Sequence, residues 1–582
     1  MEIRIEATSV VVVVPYVVLY AVPLRRLVTP SFCTSSLRSA NVSRMSAKSE
    51  TVTAMNTAMN TAVNRRGLLA ATAATGLTLA PVDFARAEDR PGPGSDGPHR
   101  TRTVRGTLPV GSPDYVYLPV EVPRGVAEFA VSYTYGKPPV PPGVQGNALD
   151  IGLFDERGTA LGGRGFRGWS GGARTGFFVR SDAATPGYLP GPVRPGTWHI
   201  ALAPYTVAPE GLPYEVTVTL RFGDAAPTPE PVYPPERGRG RGRAWYRGDC
   251  HVHSVHSDGR RTPAEVAAAA RAAGLDFINS SEHNTTSAHT AWEGLWGDDL
   301  LILTGEEITT RNGHVLAVGT DPGVFVDWRY RARENRFGRY AHQVRRAGGL
   351  VVPAHPHATC IGCNWKFGLA EADAVEVWNG PWTPDDEVAL AEWDNALVAS
   401  VQNADVRNTD VRNTDDGRTR WLPAMGNSDA HREPDRLGHP QTVVLAESLS
   451  RRAILAGIRA GRSYLAESAA LTLSFAATDG RGGHAGIGER LRAAADAPVT
   501  VRLEVSGAAA DCTVRLVTDQ GVLLTTLLPA TGAGVVEWRT TPAHAAYVRA
   551  EVRHPPAVPG LPGAFAALTN PVFLDVAAGA GG

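Results

Sequence analysis

The chain has 582 residues, of which 43% are hydrophobic and 7% aromatic, so it is long enough for about two to four packed domains. Its 57 Lys and Arg residues balance its 58 Asp and Glu residues, and the formal net charge is −1. This balance argues against a strongly basic nucleic-acid-binding protein, and five cysteines in so long a chain do not make a disulfide scaffold.

The first 87 residues carry a targeting pattern rather than a domain. The twin arginines Arg65 and Arg66 precede a mildly apolar run, and Ala85-Arg86-Ala87 follows as a small-x-small cleavage pattern. We interpret 1–87 as an N-terminal extension with a twin-arginine signal peptide, so we expect export to the periplasm or the cell exterior by the twin-arginine machinery. An apolar stretch near the start is shorter than about 20 residues and contains two prolines, so we expect no stable membrane span.

Short strands broken by Gly and Pro fill 98–223, among them YVYLPVEV, AEFAVSYTY and YEVTVTLRF. Their period-two alternation predicts a β-sandwich or jelly-roll domain, and no cluster of titratable groups is evident in it. A Pro/Gly/Arg-rich linker follows at 224–244. We interpret its Arg-Gly run as a solvated spacer rather than an RNA-binding tract, given the near-neutral chain.

Strands and helices alternate in the middle of the chain, from 245 to 465. The buried-strand candidates are DFINSSE, LLILTGEEIT, HVLAVG, GLVVPAHP, AVEVWNG, LPAMGNSD and TVVLA. One helix begins with the N-cap pattern Thr262-Pro263-Ala264-Glu265 and ends at Gly274, and another runs from Ser450 to Ala460 before Gly461. This α/β alternation over about 220 residues predicts a parallel sheet that is closed or nearly closed into a barrel.

Three further features complete the chain. The motif CIGC at Cys360 and Cys363 is a metal or redox pair or a local disulfide, and we favour the disulfide. The tandem pentapeptide at 405–417 is interpreted as an insertion in a surface loop. Strands return at 466–582 and predict a second β-sandwich domain.

Imidazoles and carboxylates recur at the strand ends of the middle region, where a barrel of this type presents its chemistry. His251 and His253 are two residues apart and therefore point to the same side of a strand, and Asp429 and His431 repeat this spacing. The candidate metal ligands are His251, His253, Asp258, His283, Glu307, His314, His355, Asp429 and His431. Nine such ligands exceed the needs of one ion, so we expect two or three divalent metal ions, with Zn, Mn and Fe equally suited.

Other polar groups lie close to these ligands in the sequence. Candidates for contacts to the ligands or the substrate are His256, His357, Asn284, Asn427 and Arg432. We expect His289, His342 and His439 to be structural.

These motifs resemble the PHP (polymerase and histidinol phosphatase) family over 246–465. The similar segments are HVHS, SDG, EH, GEE, PAHP and SDAH. A finer similarity, carried by AVEVWNGPW, MGNSDAH and AESLSRRAILAGIRAGRSYL, is to the carbaryl-hydrolase-like (CehA/McbA) branch of metallohydrolases. The resemblance implies a distorted (βα)7 TIM-like barrel, here flanked by two β-sandwich domains, with up to three metal ions.

The resemblance also implies how the ligands divide. One ion would be held by His251, His253, Glu307 and Asp429, a second by Glu307, His314 and His355, and a third by Asp258, His283 and His431. Two positions depart from the family pattern, since Glu282 replaces an Asp and Cys250 an aliphatic residue. Neither departure removes a ligand.

The expected function is metal-dependent hydrolysis of a small-molecule phosphoester, by a phosphatase or phosphodiesterase. The alternatives are a carboxyl or carbamate ester hydrolase and a non-catalytic binding protein. Catalytic candidates are His431, His283 and Asp429, and the acid for the leaving group is left open among His431, His283 and a metal-bound water. Arg432 and Lys366 are candidates for phosphate contacts, whereas Trp365, Trp378 and Trp382 suggest an apolar substrate wall. A covalent seryl route is not expected, since no G-x-S-x-G nucleophile elbow is recognised.

Overall fold

The computed structural model describes residues 98–405 and 421–577, apart from the side chains of 403–405. The predicted signal peptide and nearly all of the tandem pentapeptide lie outside these residues. Within them the protein is a mixed α/β structure with many strands and few helices. No helix in the described part of the chain is long and apolar enough to cross a membrane.

An N-terminal β-sandwich is built from eight strands. They are β1 (His99–Leu108), β2 (Val116–Val122), β3 (Val126–Tyr135), β4 (Ala148–Phe154), β5 (Phe166–Gly171), β6 (Gly176–Arg180), β7 (Gly196–Thr206) and β8 (Leu212–Phe222). One sheet has the order β1-β8-β3-β6 and the other β2-β7-β4-β5, and every pair is antiparallel. Alternate side chains face inward, so that Phe129 of β3 stacks on Trp198 of β7 with ring centroids 5.2 Å apart.

The middle region contains the strands that carry the site. They are β9 (Ala244–Val252), β10 (Phe277–Ser280), β11 (Leu301–Thr304), β12 (Glu306–Thr310), β13 (Gly313–Val318), β14 (Leu350–Ala354), β15 (Val375–Asn379), β16 (Ala424–Asn427), β17 (Gln441–Ala446) and β18 (Ser463–Ala466). The helices are α1 (Pro263–Ala272), α2 (Phe337–Arg346), α3 (Pro384–Asp405) and α4 (Arg451–Arg459), with a short 3-10 turn at Ala332–Glu334. All seven predicted strand segments are confirmed as strands.

The predicted helix ends are also confirmed. Thr262 caps α1 by accepting a hydrogen bond from the backbone N–H of Glu265, and the Glu265 side chain completes the capping box. Ser450 caps α4 in the same way, by accepting from the backbone N–H of Ala453. Gly274 and Gly461 follow the two helices with positive φ angles, the conformation that favours glycine after a helix.

The prediction of a parallel sheet is wrong for part of this region. The strands β9, β10 and β11 are parallel, and so are β15 and β16. However, β12, β13 and β14 are antiparallel to one another, and β17 is antiparallel to β9. Only Arg311 and Asn312 separate β12 from β13, and so short a connection forms a hairpin, because a parallel crossover needs about a dozen residues. The three hydrogen-bonded groups are neighbours in space, since β14 lies beside β15 and β16 lies beside β9.

The C-terminal strands form a second sandwich-like arrangement. They are β19 (Thr472–Thr478), β20 (His484–Gly486), β21 (Arg490–Ala493), β22 (Val499–Ser506), β23 (Thr513–Thr518), β24 (Gly521–Leu527), β25 (Gly534–Thr540), β26 (Tyr547–Arg553), β27 (Phe565–Thr569) and β28 (Val572–Val576). One sheet has the order β20-β19-β22-β25, whereas the other continues directly from the middle region because β18 pairs with β27. Val443 and Tyr464 of the middle region accordingly belong to the same apolar core as Val501 and Val514. A continuous sheet therefore runs across the predicted boundary at 465.

The N-terminal sandwich packs directly on the middle region. Phe166 and Trp169 of the sandwich share an apolar core with Ile308, Val315 and Trp328. Polar contacts strengthen this interface, since Arg329 donates to the backbone carbonyl of Thr159 at 3.0 Å and Asp327 accepts from the backbone N–H of Gly162 at 2.8 Å. The sandwich is thus held against the strands that carry the site.

Candidate metal centre

Nine predicted ligands lie at the ends of strands or in the loops that follow them. His251 and His253 lie at the end of β9, Asp258 lies in the next loop, and His283 follows β10; Glu307 and His314 lie in β12 and β13, His355 follows β14, and Asp429 and His431 follow β16. These positions are spread over more than 170 residues of sequence, but their ligand atoms come together in space. The distances between these ligand atoms therefore decide whether the nine side chains converge as predicted.

Four overlapping groups of ligand atoms form in the structure. Within each group the ligand atoms lie within 4.8 Å of one another. The first group is His251, His355 and Asp429, and the second is His251, His253 and Glu307. The third is Glu307, His314 and His355, and the fourth is His253, Asp258, His283 and His431. All nine predicted residues belong to at least one group. His251, His253, Glu307 and His355 each belong to two groups, so the division is less sharp than the resemblance implied.

The innermost donor atoms are close together without being hydrogen-bonded. The Nε2 atoms of His251 and His253 both lie 3.1 Å from Asp429 Oδ1 and 3.4 Å from Glu307 Oε2. The buried atoms that lack a hydrogen bond among the described residues include His251 Nε2, His253 Nε2, Glu307 Oε2, His314 Nε2, His355 Nδ1 and Asp429 Oδ1. Glu307 Oε2 also lies 2.7 Å from His283 Nδ1, whose hydrogen bond is formed with the Thr309 hydroxyl. Leaving one buried polar atom unsatisfied costs about 1–3 kcal/mol, so the four that lie together, on His251, His253, Glu307 and Asp429, require a common partner.

A divalent cation fits that requirement. Ligands about 2.1 Å from a tetrahedral ion are about 3.4 Å apart, which is the spacing of these donor atoms. The donor set of imidazole nitrogens and carboxylate oxygens suits Zn, Mn or Fe. The residues present therefore fit the metal ions that the sequence predicts.

The third predicted set is more exposed than the rest. Asp258 Oδ1 lies 3.4 Å from His283 Nε2 and 3.2 Å from His431 Nε2, and the Asp258 side chain is 50% exposed. His431 Nδ1 donates to the backbone carbonyl of Asp429 at 2.7 Å, which leaves its Nε2 facing Asp258. This group lies at the solvent side of the cluster.

A buried carboxylate that the sequence reasoning missed orients the inner ligands. Glu376 of β15 is 1% exposed and accepts hydrogen bonds from His251 Nδ1 at 3.1 Å and from the backbone N–H of His355 at 2.7 Å. The side chains of Asn379 and Asn427 each donate to it at 2.9 Å. A proton held on Nδ1 of His251 leaves the Nε2 lone pair free for a metal. The available signal was a single acid in the otherwise apolar strand VEVW.

Glu282, which departs from the family pattern, has a similar structural task. It is buried and accepts from the backbone N–H of Ser254 at 3.1 Å and from the Ser257 hydroxyl at 2.5 Å. Ser257 in turn lies 3.3 Å from His253 Nδ1. The longer side chain thus reaches the loop after β9 and fixes the second histidine of the HxH pair.

Three site residues have left-handed backbone conformations. The φ angles are 54° for Asn284, 28° for His355 and 51° for Asp429. Each of their backbone N–H groups donates to another site residue: Asn284 to the carbonyl of Glu307, His355 to the side chain of Glu376, and Asp429 to the carbonyl of His251. Such conformations cost about 1–3 kcal/mol each in a non-glycine residue and cluster at functional sites.

The charges of the cluster are strongly coupled. Burial by itself would lower the pKa of His283, but the carboxylates of Glu307 and Asp258 raise it to about 10. Burial likewise opposes the charge on His431, but Asp258 and Asp429 raise its pKa to about 9. Burial would raise the pKa of Glu307, but the imidazoles of His283, His251 and His314 hold it well below its ordinary value. The carboxylates are therefore ionised at neutral pH and attract positive charge, whether protons or metal ions.

A cavity of about 400 Å³ opens beside the cluster. On the metal side it is lined by Asp258, His283 and His314. The opposite wall comes from the N-terminal sandwich and the adjoining segment; it includes Tyr115, Asp150, Trp169, Tyr205, Arg311 and Trp328. The cavity therefore lies between the two regions, which the sequence reasoning missed because it assigned no chemistry to 98–223.

The tryptophan, arginine and lysine residues predicted to contact the substrate do not line this cavity. Trp378 and Trp382 pack against Phe565 in an apolar core, and Trp365 packs against Phe337, so none of them lines the cavity beside the cluster. The cations Arg432 and Lys366 are exposed and do not line it either. The aromatic and cationic residues of this cavity come from other parts of the chain.

The remaining polar candidates have varied environments. Asn427 contacts Glu376, and Asn284 pairs with the backbone of Thr309, so both support the site. His256 pairs with Ser287 and His357 with Glu392, outside the ligand groups. His289, expected to be structural, is confirmed as such, because its Nε2 lies 2.8 Å from the carbonyl of Gly305 and its Nδ1 accepts from Gly323.

Two cysteines and one serine complete the inventory. Cys360 and Cys363 form the disulfide that we favoured. A G-x-S-x-G pattern, unrecognised in the sequence reasoning, does occur at 168–172, and Ser170 lines the cavity. However, Ser170 lies within strand β5 rather than at a strand-to-helix turn, and its hydroxyl pairs with that of Tyr188 at 3.0 Å. It therefore does not form a nucleophile elbow.

Comparisons with known proteins give partial similarities. No family model matches the chain, and no curated protein matches it. A two-domain protein from Bacteroides vulgatus, described as containing a predicted PHP-like metal-dependent phosphoesterase, is 16% identical; the match covers 56% of this chain and 94% of that chain, with a TM-score of 0.29. An amidohydrolase from Chromobacterium violaceum, solved with bound sulfate and no metal, is 18% identical over 33% of this chain and 90% of that chain, with a TM-score of 0.23. Both TM-scores are low, so the PHP resemblance continues to depend on the sequence motifs and the site geometry.

Proposed function

We propose that this protein is a metal-dependent hydrolase that holds two or three divalent ions around Glu307 and cleaves phosphoesters. The observation that carries the proposal is a set of four buried donor atoms that lack a hydrogen bond: the Nε2 atoms of His251 and His253 lie 3.1 Å from Asp429 Oδ1 and 3.4 Å from Glu307 Oε2. An open cavity beside them gives a small molecule access to the same atoms. A purely structural histidine cluster would satisfy its nitrogens internally and would not need that access.

The chain's own residues prepare the site for this chemistry. Bound divalent ions would lower the pKa of water and neutralise negative charge that develops on the substrate. Glu307 lies within reach of two of the groups and is the residue best placed to bridge them. Glu376 and Ser257 fix the imidazoles of His251 and His253, so the ligands need little rearrangement during the reaction.

The acid for the leaving group is best placed at His283. Of the three catalytic candidates, His431, His283 and Asp429, only His283 lines the cavity. Its Nε2 faces Asp258, which also lines the cavity, and its Nδ1 lies 2.7 Å from the Thr309 hydroxyl. A proton on His283 would be held between the cluster and the substrate space, a role that this side chain can fill only when the third set, to which it belongs, holds no metal ion.

A second candidate function is hydrolysis of a carboxyl or carbamate ester. The observation that favours it is the composition of the cavity wall. Three aromatic residues of the wall, Tyr115, Trp169 and Trp328, pack edge to face against one another. Among the described residues, Arg311 is the single arginine or lysine that lines the cavity. A dianionic phosphate bound there would also face Asp150. A non-catalytic binding protein is the third candidate, and it is disfavoured because all nine predicted ligands converge.

Two finer proposals accompany this function. We propose that strands β9 to β17 form a distorted (βα)7 barrel, which the contacts between β14 and β15 and between β16 and β9 support. We propose that the chain belongs to the carbaryl-hydrolase-like branch, which its sequence motifs support. We also propose export by the twin-arginine route, supported by the pattern within 1–87.

Elemental analysis and a substrate panel test the proposal. Purified protein should contain two or three equivalents of Zn, Mn or Fe and should hydrolyse p-nitrophenyl phosphate or bis-p-nitrophenyl phosphate faster than naphthyl carbamate. The reverse order of rates would favour the second candidate. Metal-loaded protein that hydrolyses none of the three, while it binds them, would favour the binding protein.

A further inference from the structure

Two charged side chains of the cavity have no part in the metal groups. Asp150 lies in β4 of the N-terminal sandwich, and Arg311 lies in the turn between β12 and β13. Both line the cavity beside His283 and His314. A substrate whose reacting group lies at the metal ligands would therefore place its remaining part between these two residues.

Asp150 is directed into the cavity by the register of its strand. Its neighbours Leu149 and Ile151 are fully buried in the sandwich core, and alternate residues of a strand face opposite sides. Among the described residues, none forms a hydrogen bond or an ion pair with the Asp150 carboxylate.

Arg311 is held rigidly by the sandwich. It donates from Nη1 to the backbone carbonyl of Tyr205 at 2.9 Å and from Nη2 to that of Pro204 at 2.8 Å. Its guanidinium also lies over the Tyr205 ring, 4.6 Å from the ring centroid. A guanidinium has five N–H donors, so about three remain for a ligand in the cavity.

The two charges are close enough to influence each other but do not pair. Arg311 is the cation that most favours ionisation of Asp150, and burial nevertheless raises the pKa of Asp150 to about 6. No ion pair joins them in the part of the chain that the structure describes, and Arg311 acts on Asp150 only through its charge. Both side chains therefore keep hydrogen-bonding capacity for a further group in the cavity that they line.

The charge of that group follows from this arrangement. An ammonium would be attracted to Asp150 but repelled by Arg311, and a carboxylate or second phosphate would meet the opposite problem. His283 and Asp258 also act on Asp150, but they are an oppositely charged pair, with Nε2 and Oδ1 3.4 Å apart, and so favour neither sign. A neutral hydroxyl or amide can donate to Asp150 and accept from Arg311 at the same time. The rest of the wall, formed by Tyr115, Trp169 and Trp328, suits an apolar ring.

We infer that Asp150 and Arg311 are the specificity-determining residues of this cavity, and that they select a leaving group consisting of an apolar ring with a neutral hydroxyl or amide substituent. This inference rests on the proposed function, because only a substrate that is hydrolysed has a leaving group. The N-terminal sandwich is then a part of the substrate site rather than a separate module.

The test uses three probes of equal ring size and different charge, bound to the full-length, chelator-treated protein at pH 8. They are 3-(hydroxymethyl)phenol, which is neutral, 3-(aminomethyl)phenol, which carries an ammonium, and 3-hydroxybenzoate, which carries a carboxylate. Isothermal titration calorimetry gives the affinities for the native protein and for Asp150→Asn and Arg311→Gln. Asp182→Asn is the matched control, because it makes the same chemical change at an ion pair with Arg180 elsewhere on the sandwich.

We expect the native protein to bind the neutral probe at least about tenfold more tightly than either charged probe. Asp150→Asn should shift the ratio of carboxylate to ammonium affinity upward by about 10- to 100-fold, and Arg311→Gln should shift it downward by a similar factor. Asp182→Asn should leave all three affinities unchanged. If Arg311→Gln fails to fold, the shift caused by Asp150→Asn decides alone.

A ratio that neither variant changes by more than about twofold would overturn the inference, as would a native protein that prefers a charged probe. These measurements need no turnover. If the metal-loaded protein proves inactive while the charge selectivity holds, the proposed function fails and the specificity site stands. If the protein hydrolyses esters without this selectivity, the specificity site fails alone.

Discussion

Replacing Glu376 by Gln should weaken metal binding without removing a ligand. The Glu376 carboxylate receives four hydrogen bonds, two on each oxygen: His251 and Asn427 donate to Oε1, whereas His355 and Asn379 donate to Oε2. In Gln one oxygen becomes an amide N–H₂, so two of the four donors would face another donor. Each hydrogen bond to a buried charge contributes about 1.5–3 kcal/mol, and this variant loses two of them.

Part of that loss should appear as a lower metal affinity. If the amide nitrogen replaces Oε1, His251 loses the acceptor that holds its proton on Nδ1. If it replaces Oε2, the backbone of His355 loses the acceptor that fixes its left-handed conformation. Loss of a group that orients metal ligands reduces affinity about 10- to 100-fold, which corresponds to about 1.4–2.8 kcal/mol. We expect this decrease in the affinity for Zn, measured by competition with a chelator of known affinity.

Glu392→Gln is the control variant, because it makes the same chemical change at a carboxylate that contacts the imidazole of His357 near the surface. Glu392 pairs with His357 at 2.8 Å, and neither residue belongs to a ligand group. Its substitution should leave metal affinity within about twofold of the native value. If Glu376→Gln also retained native affinity and only lowered the melting temperature, Glu376 would be a structural acid and the assigned orientation of His251 would be wrong.

Three further predictions test other parts of the site. Glu307→Gln should remove at least one equivalent of bound metal and reduce hydrolysis by at least about a thousandfold, because Glu307 belongs to two ligand groups. Elemental analysis measures the metal content and initial rates measure the hydrolysis. A full metal complement would contradict the bridging role. Metal affinity should rise with pH between about 6 and 9, because the pKa of His283 is raised to about 10 and a metal must displace its proton. In the metal-free protein the same proton stabilises the fold; this stabilisation is complete below about pH 6.5 and is lost as pH rises toward 10. Plots of melting temperature against pH should therefore receive contributions of opposite slope from His283 with and without metal. Gly248→Ala should destabilise the protein by about 1–3 kcal/mol or more, because a Cβ atom there would lie 2.1 Å from Cζ of the Phe277 ring; a melting temperature equal to that of the native protein would show that β9 and β10 can separate more easily than their packing indicates.

The ligands were predictable because their chemistry is written locally. The pairs at 251 and 253 and at 429 and 431 have a spacing that places both side chains on one side of the chain, and the other ligands lie within or after recognisable strands. Glu376 has no such partner in the sequence. It is one acid in an apolar strand, and only the packing of β15 beside β14 and β16 shows that it reaches His251.

The cavity wall was unpredictable for a different reason. Asp150, Trp169 and Arg311 come from two regions of the chain that appear independent in sequence, and their side chains meet only because the sandwich packs on β12 and β13. The pairing of β12 to β14 was also misjudged, since apolar runs of four to six residues do not reveal strand direction. The two-residue turn at Arg311 and Asn312 was the available signal for a hairpin.

The strained backbone of the site gives a reason to regard the ligand arrangement as prepared before metal binding. Asn284, His355 and Asp429 have positive φ angles, which cost about 1–3 kcal/mol each for residues other than glycine. The structure compensates each of them with a hydrogen bond from its own backbone N–H to another residue of the site, at 3.0 Å, 2.7 Å and 2.8 Å respectively. A cluster assembled by the metal alone would not need to hold its loops in strained conformations through bonds among its own residues. The free energy stored in these three positions therefore indicates a site whose geometry is fixed by the protein and into which the metal ions are received.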